Sequence, residues 1–168
     1  MKSTFIYSAL ILALLSSCSK NQNSTDYEEN SEYILTKYTL ASSKNHSTIE
    51  AELFQLINNY RIELGLNELV FENATYYYAS LHTNYMISKK NTSHDNFSKR
   101  AEYISERLHA DFVSENVARN YDTIEDAFAA WLENPGHKKN IEGNFIYSAI
   151  SINQDNNGEY YFTQIFVQ

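Results

Sequence analysis

The sequence predicts an α+β domain in which helices pack on an antiparallel sheet. Three observations favour this fold class. Helical periodicity dominates from residue 48 to residue 132, strand-like alternation follows over 145–153 and 160–167, and a strong turn signal at 155–158 joins those two strands into a hairpin. Helices early in a domain and strands late are typical of α+β architecture.

The first two helices are recognised by their ends and their apolar spacing. Ser47-Thr48-Ile49-Glu50 is a capping box, in which the serine and glutamate side chains each satisfy a backbone amide, and Gly65 suits the end of the same helix. The second helix is predicted from about residue 73 to residue 89. It carries His82, which we interpret as a packing or surface histidine rather than a ligand.

A polar loop, a third helix and a short strand are predicted next. The loop spans residues 91–96 and contains His94. The stretch 111–118 is predicted as a short strand that turns at Glu115. The helix between them has apolar residues at helical spacing, namely Phe97, Ala101, Ile104 and Leu108.

The fourth helix is predicted to end at a corner that holds a histidine. Thr123 is its capping residue, and the helix ends near Trp131. Pro135 then lacks the backbone donor that a continuing helix needs, and Gly136 permits a tight turn. His137 is therefore expected on a backbone that the two preceding residues fix.

Charge and cysteine content exclude some classes of protein. The 168 residues carry a formal net charge of -8, which disfavours a nucleic-acid surface because phosphate binding needs clustered Lys and Arg. The sequence has a single cysteine, so no intrachain disulfide can form. The fold must be stabilised by its core.

The N-terminus is predicted to direct the chain out of the cytoplasm. Lys2 precedes an apolar run, Phe5 to Leu15, that is too short for an ordinary membrane-spanning helix. Leu15-Ser16-Ser17-Cys18 resembles a bacterial lipobox, in which the thiol is acylated and the peptide is cut just before the cysteine. Residues 1–17 are thus predicted to be a lipoprotein signal peptide, with a plain secretory peptide as the alternative. The resemblance implies attachment through Cys18 to a bacterial membrane, the outer membrane in a Gram-negative host.

Residues 18–45 are predicted to be a flexible tether for a domain at 46–168. The tether is polar and acidic, so it buries too little apolar surface to offset the entropy of ordering. Four of its residues could dock on the domain as an extended piece: Ile34, Leu35, Tyr38 and Leu40.

Five motifs stand in an order that resembles a known family. They are Ser93-His94, Glu115-Asn116-Val117-Ala118, the helix-closing Trp131, Gly136-His137-Lys138-Lys139-Asn140-Ile141 and Thr163-Gln164-Ile165-Phe166. Together they resemble the bacterial branch of the CAP superfamily, which is also called the SCP-like or cysteine-rich secretory/antigen 5/pathogenesis-related-1 domain. The resemblance covers about residues 48 to 168.

The resemblance implies an α-β-α sandwich with a central antiparallel sheet and an open cleft. It places His94, Glu115 and His137 together in that cleft, beside Trp131. Members with the full pattern add a second glutamate three residues after the tryptophan. This sequence has Asn134 there, and Glu133 one residue earlier, so the fourth position departs from the pattern.

Two neutral imidazoles that converge can bind a divalent metal such as zinc and leave coordination positions open. Glu115 could orient a bound water or hold one imidazole as an outer partner. If the chain is an enzyme, the chemistry allowed is a metal-dependent hydrolase that uses His94, Glu115 and His137. The sequence equally allows a site without any cofactor.

Three classes of function stay open at this point. We favour a membrane-tethered, extracytoplasmic binding module, expected to be monomeric, whose aromatic-rimmed cleft takes a small apolar ligand, a peptide or a metal. The alternatives are the metal-dependent hydrolase and a surface adhesion or host-interaction protein that presents loops from its tether.

Overall fold

A computed structural model describes residues 46–168 of the chain. The predicted signal peptide over 1–17, lipid anchor at Cys18 and tether over 18–45 lie outside the described residues. Within the described range, every helix falls short of the length and apolarity that a membrane span requires.

The described residues alternate helices and strands in an α+β order, which confirms the predicted fold class. The four helices and the hairpin predicted from periodicity are all present. In chain order the elements are α1 (Thr48–Glu63), β1 (Val70–Phe71), α2 (Asn73–Lys89), α3 (Phe97–Leu108), β2 (Val113–Arg119), α4 (Ile124–Glu133), α5 (Pro135–Ile141), β3 (Tyr147–Gln154) and β4 (Tyr160–Val167).

The strands form a four-stranded sheet in the order β1-β3-β4-β2. The three long strands are antiparallel, as predicted, with β4 between β3 and β2. The two-residue β1 adds a parallel strand at one edge, where Val70 lies beside Tyr147. The strand β2 therefore forms the opposite edge of the sheet.

Alternate residues of the sheet pack against different helices, which makes the fold an α-β-α sandwich. On one face, Ile150 and Phe162 lie in a core cluster with Leu53 of α1 and Trp131 of α4. On the other face, Ile165 packs with residues of α2 and α3: Tyr77, Tyr78, Ala79 and Ile104. Burial of these two apolar layers, at about 25 cal/mol per Å² of apolar surface, is the main favourable term in folding.

Two local predictions are wrong. The strand β2 does not turn at Glu115 but runs straight through it, with Glu115 opposite Ile165 of β4. Pro135 and Gly136 do not form a tight turn but begin α5, because Asn134 caps the new helix and proline is well tolerated at the first helical position. Glu115 lies within a regular strand because Arg100 pairs with its charge, and Pro135 begins a regular helix because Asn134 caps it.

The N-terminal end of α1 is hydrogen-bonded to the part of β3 that extends beyond β1. The Glu50 carboxylate accepts the Ser47 amide at 2.7 Å, as the capping box predicts, and also the Ile152 amide of β3 at 2.8 Å. Two residues along β3, the Ile150 amide donates to His46 Nε2 at 2.9 Å. These side chains take the place of a neighbouring strand where β1 has ended.

Candidate functional site

Glu115 is the centre of a buried charge cluster on the face of β2 that meets α2 and α3. Its residue surface is only 5% exposed, so its charge needs a partner. Arg100 of α3 supplies it, since Nε donates to Glu115 Oε2 and Nη2 to Oε1, both at 2.9 Å. This two-pronged pairing fixes the carboxylate on the strand.

His94, in the loop between α2 and α3, is oriented by the same carboxylate. Its Nδ1 lies 2.9 Å from Glu115 Oε1, and its side chain is 50% exposed. Because an ionised carboxylate only accepts hydrogen bonds, Nδ1 carries the proton and Nε2 of a neutral ring keeps its lone pair. The result is a fixed, solvent-facing imidazole with a free acceptor nitrogen.

His82 of α2 holds the loop that carries His94. It is buried, and its Nε2 donates to the carbonyl oxygen of Ser93 at 2.7 Å while lying 3.6 Å from Glu115 Oε1. Burial lowers the pKa of His82, so the neutral ring is favoured. The prediction of a packing histidine is confirmed, and its packing supports the loop directly.

His137 approaches from the other side of β2. It lies in the first turn of α5, where the Asn134 side chain accepts the amides of Gly136 and His137. Asn116 of β2 donates through Nδ2 to the His137 carbonyl at 3.1 Å. The rings of His94 and His137 are 6.5 Å apart between centroids. Burial, and secondarily the proximity of His94, lowers the pKa of His137, which favours its neutral form.

The structure therefore brings together His94, Glu115 and His137 but assigns two other predicted cleft residues elsewhere. Trp131, predicted to border the cleft, is 1% exposed and donates its indole Nε1–H to the Val117 carbonyl within the core. Asn134 has its side chain engaged as the cap of α5, so it positions His137 through the helix backbone.

Sequence reasoning missed Arg100 and the supporting position of His82. A signal for Arg100 was present, because it precedes Ile104 by one helical turn and so lies on the buried stripe of α3. A cation on an apolar stripe indicates a buried anion. Nothing in the sequence, however, indicates that the anion is Glu115.

The side chains around His94 offer at most two imidazoles, rather than three protein ligands, to a metal ion. Among residues 46–168, no group of three or more His, Cys, Asp or Glu side chains is arranged to hold a metal ion. Both oxygens of Glu115 are already engaged by Arg100, so this carboxylate serves as the partner of His94 rather than as a ligand. His94 and His137 are left as the available imidazoles.

An apolar groove of about 230 Å³ lies beside the cluster, between α2 and α3. His82 and Arg100 line its polar side. Its other lining residues are Tyr78, Leu81, Tyr85, Asn96, Lys99 and Tyr103.

This α-β-α sandwich is the fold that the resemblance to a CAP domain implies. Residues 54–166 match the model of the cysteine-rich secretory protein family, CAP. The chain belongs to this family.

The chain is also similar to particular bacterial proteins. It is 31% identical over 130 residues to YlbC of Bacillus subtilis (strain 168), described as an uncharacterized membrane protein. That match covers 74% of this chain but only 36% of the relative, so the chain spans about a third of the length of YlbC.

Two solved structures share the fold. An outer surface protein from Borrelia burgdorferi aligns with a TM-score of 0.64 and 17% identity, over 74% of this chain and 96% of that one. An extracellular protein containing a SCP domain from Bacillus anthracis aligns with a TM-score of 0.61 and 21% identity, over 75% of this chain and 45% of that one.

Proposed function

We propose that this chain is a membrane-anchored, extracytoplasmic CAP-domain protein that binds a divalent metal ion such as zinc through His94 and His137. The observation that carries the proposal is the 2.9 Å hydrogen bond between His94 Nδ1 and the buried Glu115 carboxylate. A carboxylate that holds one imidazole nitrogen fixes the ring and makes the other nitrogen a better donor to a metal.

The surroundings of the two rings support this role. The ring of His94 is fixed by Glu115 but is half exposed, so its Nε2 is accessible to a metal ion in solution. Burial favours the neutral form of His137, which is the form that binds metal. A metal held by His94 and His137 would supply Lewis-acid chemistry at this place.

The proposed location rests on the N-terminal sequence and on the named relatives. Leu15-Ser16-Ser17-Cys18 has the form of a lipobox. YlbC is described as a membrane protein, the Borrelia burgdorferi relative as an outer surface protein and the Bacillus anthracis relative as extracellular. Acylation of Cys18 would anchor the chain stably if more than one acyl chain is attached. Replacement of Cys18 by alanine is then expected to abolish incorporation of labelled fatty acid into the protein.

The metal proposal is tested by calorimetric titration of the mature chain with zinc in detergent at pH 7.5. We expect one saturable site that is lost in His94→Ala and in His137→Ala. His109→Ala is the matched control, because His109 is an exposed histidine at the end of α3 and should leave binding unchanged. Glu115→Gln should weaken binding about 10–100-fold, since it removes the outer partner of His94.

The same titration separates the classes of function. Binding should weaken as the pH falls through the lowered pKa of His137, because protonated histidine cannot bind a metal. Zinc binding that survives both histidine variants would sink the proposal. Peptide cleavage by the zinc-loaded chain, lost in the same two variants, would identify a hydrolase rather than a binding module. Adhesion to a host surface that persists in both variants would favour the loop-presenting alternative.

A further inference from the structure

Arg61 of α1 is a fully buried cation that lies outside the charge cluster of Glu115. A buried charge is costly unless its donors find acceptors. Nη1 of Arg61 donates to the carbonyls of Ile141 and Gly143 at 2.6 and 2.8 Å, and Nε donates to the Asn67 carbonyl at 2.9 Å. Within residues 46–168 its partners are therefore neutral oxygens, most of them backbone carbonyls.

Two of these carbonyls lie at the C-terminal end of α5. Ile141 is the last residue of that helix, and Gly143 lies two residues beyond it. Carbonyls of a last helical turn have no partner inside the helix, and a cation there also opposes the negative end of the helix dipole. Tyr60, which precedes Arg61, reaches the same end, since its hydroxyl donates to Glu142 Oε1 at 2.6 Å. Two consecutive residues of α1 thus hold the end of α5.

The helix α5 is too short to keep its position by itself. It has seven residues and is about 10 Å long at roughly 1.5 Å per residue, and isolated helices of fewer than about 12 residues are marginal. Asn116 of β2 donates to the His137 carbonyl at 3.1 Å and accepts Asn140 Nδ2 at 2.9 Å. Asn140 also donates to the Glu115 carbonyl at 3.3 Å. These contacts all involve two consecutive residues of one strand, so they leave the helix able to tilt about β2, and Arg61 opposes that tilt from a different element.

We propose that Arg61 is a positioning residue for the candidate site, because it holds the end of α5 and so sets the distance between the rings of His137 and His94. The inference rests on the proposed function, since it gives Arg61 a role in metal binding by these two rings. Their centroids are 6.5 Å apart. A tilt at Ile141 displaces His137, which lies four residues earlier on the same short helix, so that the two imidazoles no longer reach one metal ion.

The test compares two buried polar side chains of α1 in the full mature chain. Arg61→Met removes the contacts with α5. Asn58→Ala is the matched control, because Asn58 is also buried on α1 and also pairs with backbone, but with the amide and carbonyl of Leu69 at 2.9 and 3.0 Å rather than with α5. Urea denaturation should show a loss of stability in both variants. Calorimetric titration of the folded variants with zinc should show binding at least about tenfold weaker in Arg61→Met and unchanged in Asn58→Ala.

A second variant and a measurement without metal keep the test decisive. Arg61→Lys retains the charge but lacks the planar fork that reaches several carbonyls at once, so it should weaken zinc binding too, and it replaces Arg61→Met if that variant does not fold. In the metal-free chain, the nuclear Overhauser effect between the ring protons of His94 and His137 should be retained in Asn58→Ala and reduced in the Arg61 variants.

Two outcomes would overturn the inference. One is a folded Arg61 variant that keeps both the zinc affinity and the ring-to-ring Overhauser effect of the parent. The other is an equal loss of both in Asn58→Ala, which indicates a general effect of lower stability. If the parent itself binds no zinc, the proposed metal function fails, and the Overhauser effect in the metal-free variants still decides whether Arg61 positions His137.

Discussion

Side chains satisfy backbone groups along both β2 and β3, but they act as donors at β2 and as acceptors at β3. At β2, backbone carbonyls face the helices: the Glu115 carbonyl accepts from Asn140 Nδ2 at 3.3 Å and the Val117 carbonyl from Trp131 Nε1 at 3.1 Å. Neither an amide nor an indole titrates in the range where proteins function. These two carbonyls of the edge that carries the candidate site are therefore satisfied by groups that do not titrate.

At β3, the situation is reversed, because backbone amides face outward and need acceptors. Ile150 donates to His46 Nε2 and Ile152 donates to the Glu50 carboxylate. The His46 ring loses its acceptor lone pair when it binds a proton. The two edges of one sheet thus differ in whether the side chains that bond the edge backbone can titrate.

The largest expected effect comes from removing the cation beneath the site. Arg100→Met leaves the Glu115 carboxylate buried without its charge partner, which should reduce the free energy of unfolding by about 3–5 kcal/mol at pH 7. Urea denaturation followed by circular dichroism measures this loss. The double variant Arg100→Met with Glu115→Leu should recover most of it, because no buried charge then remains. A single variant as stable as the parent would show that Glu115 does not depend on Arg100.

A smaller effect is expected at the acid-sensitive side. Burial lowers the pKa of His46 to about 4, from an ordinary value of 6.5. The unfolded chain therefore binds more protons than the folded chain between these values, so stability should fall as the pH drops from 6.5 toward 4. The shift corresponds to at most about 3 kcal/mol.

His46→Gln separates this contribution from the titration of carboxylates. Glutamine can still accept the Ile150 amide but does not titrate. Urea denaturation at pH 7, 5.5 and 4 should show a shallower decline for the variant than for the parent. Parallel declines would mean that His46 is not the group that senses pH at this side.

The smallest effect sharpens the contrast at the other side. Asn140→Ala removes the donor to the Glu115 carbonyl and to Asn116 Oδ1, which should cost about 1 kcal/mol. Because amides do not titrate, the difference between variant and parent should be equal at pH 7 and at pH 4.5. A loss that changes with pH would contradict the view that the contacts made by Asn140 are independent of titration.

Local chemistry explains how much of the fold could be predicted from the sequence. The helices α1 to α4 and the hairpin carry their own signals, such as the apolar spacing of α3 and the Thr123 cap, whose hydroxyl accepts the Asp126 amide at 3.1 Å. The two-residue β1 has no such signal, because its existence depends on the Ile146 and Ser148 carbonyls of a strand far along the chain.

The site was predictable in part for the same reason. His94, Glu115 and His137 could be named through a family resemblance, yet the roles of their neighbours depend on contacts between distant residues. Glu115 was expected at a turn because a polar pair inside a short apolar run usually marks one. Glu115 can lie in a straight strand with its charge buried because Arg100, on a different element, pairs with it. Metal binding by the histidines stays a prediction.

Glu115 and Asn116 are consecutive residues on opposite faces of β2, and each secures one histidine. Glu115 holds His94 from one layer and Asn116 holds the His137 backbone from the other. A dipeptide in one strand thus sets the gap between the two rings. One residue inserted within β2 ahead of Glu115 would therefore exchange the two faces and dismantle the site.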